Sequence, residues 1–253
     1  YKRQNMEMPM RGFNSQPVEG AAADIARSGK LRDRVRMAYL VRGDEYEPQE
    51  RIAGKWKVAS PENTPEFSAQ GFYFARELND LIDVPVGILC ASYGGTQVEG
   101  WLPRDILDKY GYGAEADVPE PMRLAYRYTT KYNSMIHPLI GYTIKGFIWN
   151  QGESNAGNPP TYAKLLTDMV ARWRSDWGDT ENKLPFYQTE NPHFGWFNPT
   201  ATPAAEIREQ QNMAVDMIPN SGITCTADLV YPYEEHVIHG SRKREIGERM
   251  AWQ

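Results

Sequence analysis

Apolar positions along this chain switch repeatedly between a two-residue and a 3.6-residue period. Residues 34–42 (RVRMAYLVR) alternate well enough to predict a strand, and 84–91 (VPVGILCA) form a short apolar run that reads as a strand covered on both faces. Residues 68–82 carry Phe72, Ala75, Leu78, Leu81 and Ile82 on one face behind Ser68, a good N-cap, and predict a helix. Residues 161–177 repeat the pattern with Tyr162, Leu165, Leu166, Met169, Val170 and Trp173, and Gly178 ends them. Further helices are expected at 21–28, 104–110, 124–136, 204–217 and 246–251, and further strands at 144–149, 184–188 and 222–227. Strands alternating with helices predict a three-layer α/β/α sandwich with a mainly parallel sheet. Residues 1–253 show no repeat or linker and are expected to form one domain. The stretch 43–66, rich in Pro, Glu and Gly, is expected to be a surface loop carrying Trp56.

The segment 144–155, IKGFIWNQGESN, changes character most abruptly. Its apolar strand stops at six polar residues, and ligands of α/β sheets bind beyond the carboxyl ends of strands. Amides and a carboxylate presented there suit a polar substrate; an ordinary loop capping the next helix is the alternative. The sequence 90–94, CASYG, matches a nucleophile elbow except that Cys90 replaces the first Gly, which makes Ser92 one candidate nucleophile. Of the four His residues, His137 lies in an apolar stretch and reads as structural, and His193 sits in an aromatic loop. His236 and His239 follow the last strand, where α/β hydrolases commonly hold a general base. The spacing HVIH brings no third and fourth ligand with it, so no metal is expected.

Composition narrows the classes. Lys and Arg number 28 against 33 Asp and Glu, with no basic stripe, which argues against nucleic acid. No apolar run approaches a membrane span. Cys90 and Cys225 each end a strand-like segment and are expected to be buried free thiols. Fifteen Tyr and seven Trp suit either sugar-stacking surfaces or a well-filled core.

Taken together, NMEMPM (5–10), Trp56, residues 67–101, residues 132–155, IREQQ (207–211) and residues 238–251 resemble the sialate O-acetylesterase family of the SGNH-hydrolase superfamily. The resemblance implies a flavodoxin-like fold, a serine-type acyl-enzyme mechanism without cofactor or metal, and an acetylated sugar or glycan as partner. Sialic acid and acetylated xylan are the two substrate alternatives. The family serine belongs to a G-Q-S-N-M-E block. Its position here is held by Gln4, with Lys2 and Arg3 in place of Gly and Gln, so the resemblance also implies an altered or truncated N-terminus. By the same match His239 is the general base. The family's acid three residues earlier is replaced by His236, leaving Glu235 as first choice for the orienting acid, ahead of Glu234 and Asp228. Gly95, with Gly94 beside it, and Gln151 map to the oxyanion hole. Glu153, Arg208, Trp56, Trp101, Phe194 and Trp196 are candidates to position or stack on the sugar. Relatives are typically exported, and the same is expected here. A glycan-binding protein without turnover is the reading that Gln4 favours if the hydrolase reading fails.

Overall fold

The computed structural model describes residues 5–13, 15–112, 126–193, 195, 202–234 and 236–253. In chain order the main elements are α1 (Ala21–Arg27), β1 (Val35–Leu40), β2 (Gly54–Val58), α2 (Ala69–Ile82), β3 (Val86–Cys90) and α3 (Arg104–Leu107). There follow β4 (Phe147–Trp149), α4 (Tyr162–Asp176), β5 (Phe186–Thr189), α5 (Thr202–Met217), β6 (Ser221–Thr224) and α6 (Lys243–Ala251). The strands form two three-stranded sheets, ordered β2-β1-β3 and β4-β5-β6. The second is wholly parallel; in the first, β3 runs parallel to β1 and β2 antiparallel.

The pleat sorts the layers. On β5, Phe186 packs with Trp149 and the side chain of Gln188 donates to the carbonyl of Gln211 on α5, so the even positions face α4 and α5. Thr189 points the other way and accepts from Gln70 of α2 at 2.6 Å. The α4 side is an aromatic and aliphatic core in which Trp173 lies edge-on to Trp149 at 5.7 Å. On the other side, α2 packs on β1 and β3 while α6 packs on β5 and β6. The two helices meet at Gly247, where a Cβ would come within 2.7 Å of Tyr73 Cβ; only glycine allows that approach. Gln70 also accepts from Asn150 at 2.6 Å, so α2 ties itself to the ends of both β4 and β5.

The helix at 68–82 forms as its pattern predicts, with Ser68 Oγ accepting from the Gly71 N–H at 3.1 Å. Its last turn differs: Leu81 and Ile82 are 54% and 53% exposed because Asp83 turns the chain left-handed before they reach the core. The strand expected to be covered on both faces, β3, is only partly buried, since it ends its own sheet. The stretch expected to be a loop at 43–66 contains edge strand β2. Trp56 lies on it opposite Ala38, with its ring against Gly87 on the face of the sheet rather than at the carboxyl edge. The helix expected at 124–136 is instead a π-helical turn, Tyr132–Ile136, because Thr129 takes a φ of 60° that no α-helix contains. Cys90 is buried, and Cys225 is exposed; both are free thiols.

Candidate active site

Three segments converge beyond the carboxyl ends of β3, β4 and β6. The first is the turn after β3, where Gly95 takes a φ of 80° and Thr96 Oγ1 accepts from Trp101 Nε1 at 2.9 Å. The second is the turn after β4, where Gly152 takes a φ of 148°, a value open to glycine and costly for other residues. The two turns are joined by Gln151. Its side-chain Nε2 donates to the Thr96 carbonyl at 2.9 Å and to Asn155 Oδ1 at 2.7 Å, while its Oε1 accepts from Tyr162 OH at 3.1 Å. Asn155 in turn donates to Glu99 at 2.8 Å. Gln211 of α5 donates to the Gln151 carbonyl at 3.0 Å, which holds the turn from the other side. These amides are buried and mutually satisfied, so the two turns form one rigid body.

The third segment is the loop between β6 and α6, and it meets the N-terminal residues. Asn5 is the centre: its Nδ2 donates to Glu153 Oε1 at 2.6 Å, and its Oδ1 accepts from Lys243 Nζ at 2.8 Å. His239 Nδ1 lies 3.2 Å from the same Oδ1, with its ring edge-on to Phe13 at 5.4 Å. Desolvation, then the nearby Lys243 charge, lowers the His239 pKa to about 4. Burial likewise lowers Lys243 to about 8, and raises the Glu153 carboxyl against the pull of Asn5 and Lys243. Beside this cluster lies a cavity of about 20 Å³ lined by Asn5, Asn150, Thr189, Gly240, Lys243 and Ile246, too small for a sugar ring.

The remaining candidates fall in different places. His236 is exposed, whereas His239 is half-buried and faces Asn5. Gln4, Glu235, Phe194 and Trp196 lie outside the described residues. Glu234 is buried and accepts from the main-chain N–H groups of Ser241 and Tyr231, which fixes the loop carrying His239. Asp228 is paired with Arg249 at 2.6 Å, and among the described residues His239 is hydrogen-bonded to Asn5 rather than to Asp228. Trp101 is 1% exposed within the core, so it supports Thr96 rather than stacking on a sugar. Ser92 is buried between Cys90 Sγ at 3.4 Å and Glu7 Oε1 at 3.3 Å, and Glu7 is held by Arg42. No histidine is hydrogen-bonded to Ser92 among the described residues, which leaves that hydroxyl without the usual base. Lys243 and Asn5 were not singled out by pattern. A lysine opening a helix is unremarkable in sequence, and only the fold brings it against residue 5. Among the described residues no three His, Cys, Asp or Glu side chains group as a metal site requires.

This arrangement can be set beside known proteins. The family model for carbohydrate esterases described as sialic acid-specific acetylesterase matches residues 24–253. The chain belongs to that family. It is 31% identical to the sialate O-acetylesterase of Pongo abelii over 144 residues, which cover 52% of this chain and 28% of that protein. With the sialate O-acetylesterase of Rattus norvegicus it shares 29% over 192 residues, 62% of this chain and 35% of the relative. A carbohydrate acetylesterase structure from Xanthomonas citri superposes with a TM-score of 0.83 at 30% identity, covering 99% of this chain and 53% of the other. An Arabidopsis thaliana structure at TM-score 0.53 and 15% identity shares the fold. The family member described here thus spans about a third of its curated relatives' length and about half of the solved chain. No helix among the described residues is long and apolar enough to cross a membrane.

Proposed function

We propose that this chain carries the site of a carbohydrate O-acetylesterase, with residue 4 at the acyl-accepting position and His239 as general base. The supporting observation is that His239 and Glu153 both converge on the side chain of Asn5, the residue that follows position 4. A serine at position 4 would pass its hydroxyl proton to His239 Nε2 while its oxygen bonds to the acetyl carbonyl carbon. The oxyanion would be met by donors of the joined turns, Gly95 and Gln151. Gln151 spends its side-chain donors on Thr96 and Asn155, so it offers its main chain. The proton then moves from Nε2 to the sugar oxygen as the ester C–O bond breaks. Water repeats the sequence, releasing acetate and regenerating the serine. With Gln4 in place there is no hydroxyl to acylate, and the chain binds acetylated sugar without turnover by this route.

Sialic acid is the preferred sugar in this reading, because Arg208 Nη1 on α5 is buried without a hydrogen-bond partner among the described residues, one turn from Gln211. A sugar carboxylate would satisfy it. Export, as among relatives, belongs to the same reading. The test is acetate release from O-acetylated sialic acid, acetylated xylo-oligosaccharides and p-nitrophenyl acetate, by the unmodified chain and by Gln4→Ser. Turnover is expected only with the serine, falling about 10²–10⁴-fold on His239→Ala. Arg208→Ala should raise KM for sialic acid alone. A folded Gln4→Ser variant without gain would overturn the reading, as would activity of the unmodified chain that disappears on Ser92→Ala.

A further inference from the structure

We propose that Lys243, together with Glu153, sets the tautomer of His239 through the amide of Asn5, in the role an acid three residues before the histidine would otherwise fill. His236 occupies that place, and it is exposed. The catalytic consequence rests on the esterase reading; the tautomer itself does not.

Lys243 is held at a cost. Lys243 is 2% exposed, and no carboxylate lies within ion-pair distance of it among the described residues. It is also the first residue of α6, the helix end at which the backbone dipole opposes a positive charge. Burial and position both work against it, and among the described residues its side-chain hydrogen bond is to Asn5 Oδ1 at 2.8 Å.

That bond decides which way the Asn5 amide faces. An ammonium only donates, so the atom against Lys243 must be oxygen. Glu153, as a carboxylate, only accepts, so the atom 2.6 Å from it must be the NH₂. Lys243 and Glu153 together leave the amide a single orientation. His239 Nδ1 then faces an oxygen at 3.2 Å, already an acceptor, and can be bonded only if Nδ1 carries the proton. Nε2 is left with its lone pair, as a general base requires.

The charged surroundings agree. Lys243 reaches His239 from α6, and Glu153 reaches Asn5 from the turn after β4. Phe13 closes one ring edge, Glu234 is spent on its own loop, and Arg242 is turned to Glu245 and the Asp228 carbonyl. An orienting carboxylate would favour the imidazolium. Burial first, and then the Lys243 charge, disfavour it and lower the His239 pKa to about 4.

The experiment is a two-bond ¹H–¹⁵N histidine spectrum of the full chain across the acid to neutral range, on the unmodified chain, Lys243→Met, Lys243→Met with Glu153→Gln, and Lys243→Arg. The unmodified chain should show His239 as the Nδ1–H tautomer. In Lys243→Met its titration midpoint should rise by about one unit, and the Nε2–H form should appear once Glu153→Gln is added to Lys243→Met; Lys243→Arg should keep the Nδ1–H form. In a Gln4→Ser background, the acid limb of kcat/KM should move by the same amount. An Nε2–H ring in the unmodified chain would overturn the proposal even if Lys243→Met does not fold. So would a folded Lys243→Met with an unchanged midpoint, or a folded Lys243→Met with Glu153→Gln that keeps the Nδ1–H form. Expected spectra with an inactive Gln4→Ser variant would remove the esterase reading and leave the tautomer assignment standing.

Discussion

Among the described residues two lysines are fully buried, and they are buried in opposite ways. Lys131, 0% exposed, places Nζ 2.5 Å from Asp44 Oδ1 and 2.8 Å from Thr130 Oγ1, over the Tyr93 ring at 5.0 Å. Asp44 also accepts from Arg127 at 3.2 Å and Thr130 at 2.6 Å. Lys243 faces a neutral amide and has carboxylates only at a distance. The first charge is neutralised where it lies, and its cluster holds the 126–131 segment to the loop after β1. The second meets Glu153 and Glu234 only through space, without an ion-pair contact among the described residues, so its field also reaches His239. A buried charge with a partner builds structure, and one without acts on its neighbours.

The comparison can be broken most sharply at Asp44. Asp44→Ala strands Lys131 in the interior, and urea unfolding should show a loss of about 3–5 kcal/mol. Near Lys243 the larger effect comes from shape. Gly152→Ala would put a Cβ 2.9 Å from the Asn191 amide at a φ of 148°. It should cost about 1–3 kcal/mol, read from the same unfolding curves, and should displace Glu153 from Asn5. Lys243→Met, by contrast, removes a charge that had no carboxylate partner, so stability should change by less than about 1 kcal/mol while the histidine titration moves. A loss as large as that of Asp44→Ala would show that the two lysines play the same part.

The smallest effect is a pH slope. His239 titrates at about 4 in the fold against an ordinary 6.5, so between those values the unfolded chain binds more protons. Stability contributed by this group is therefore present above pH 6.5 and lost as pH falls through about 4. Urea midpoints at mildly acid and neutral pH should differ in that direction, and the difference should shrink in Lys243→Met. An unchanged slope would mean that desolvation alone sets the histidine.

Local pattern was enough for the regular elements. Ser68 caps α2 because a serine oxygen can reach the N–H three residues on, and Tyr162, Leu166, Met169 and Trp173 share a face at any helix's spacing. The glycine turns after β3 and β4 were also legible, because the glycines that take positive φ are written next to the strands they follow. What depends on residues far apart was not. The π-turn at Tyr132–Ile136 follows from Thr129 being held left-handed, and the burial of Trp101 from its place against Trp149 and Thr96. The Asn5–Glu153–His239–Lys243 cluster joins positions up to 238 residues apart. No local spacing encodes it. The sequence by itself determined most of the strands, helices and turns, though not β2 or the turn at Tyr132–Ile136, because those choices rest on neighbours three or four residues away. Only the tertiary structure decided which buried charges meet a counter-charge, because desolvation and partnership exist only once the segments are packed.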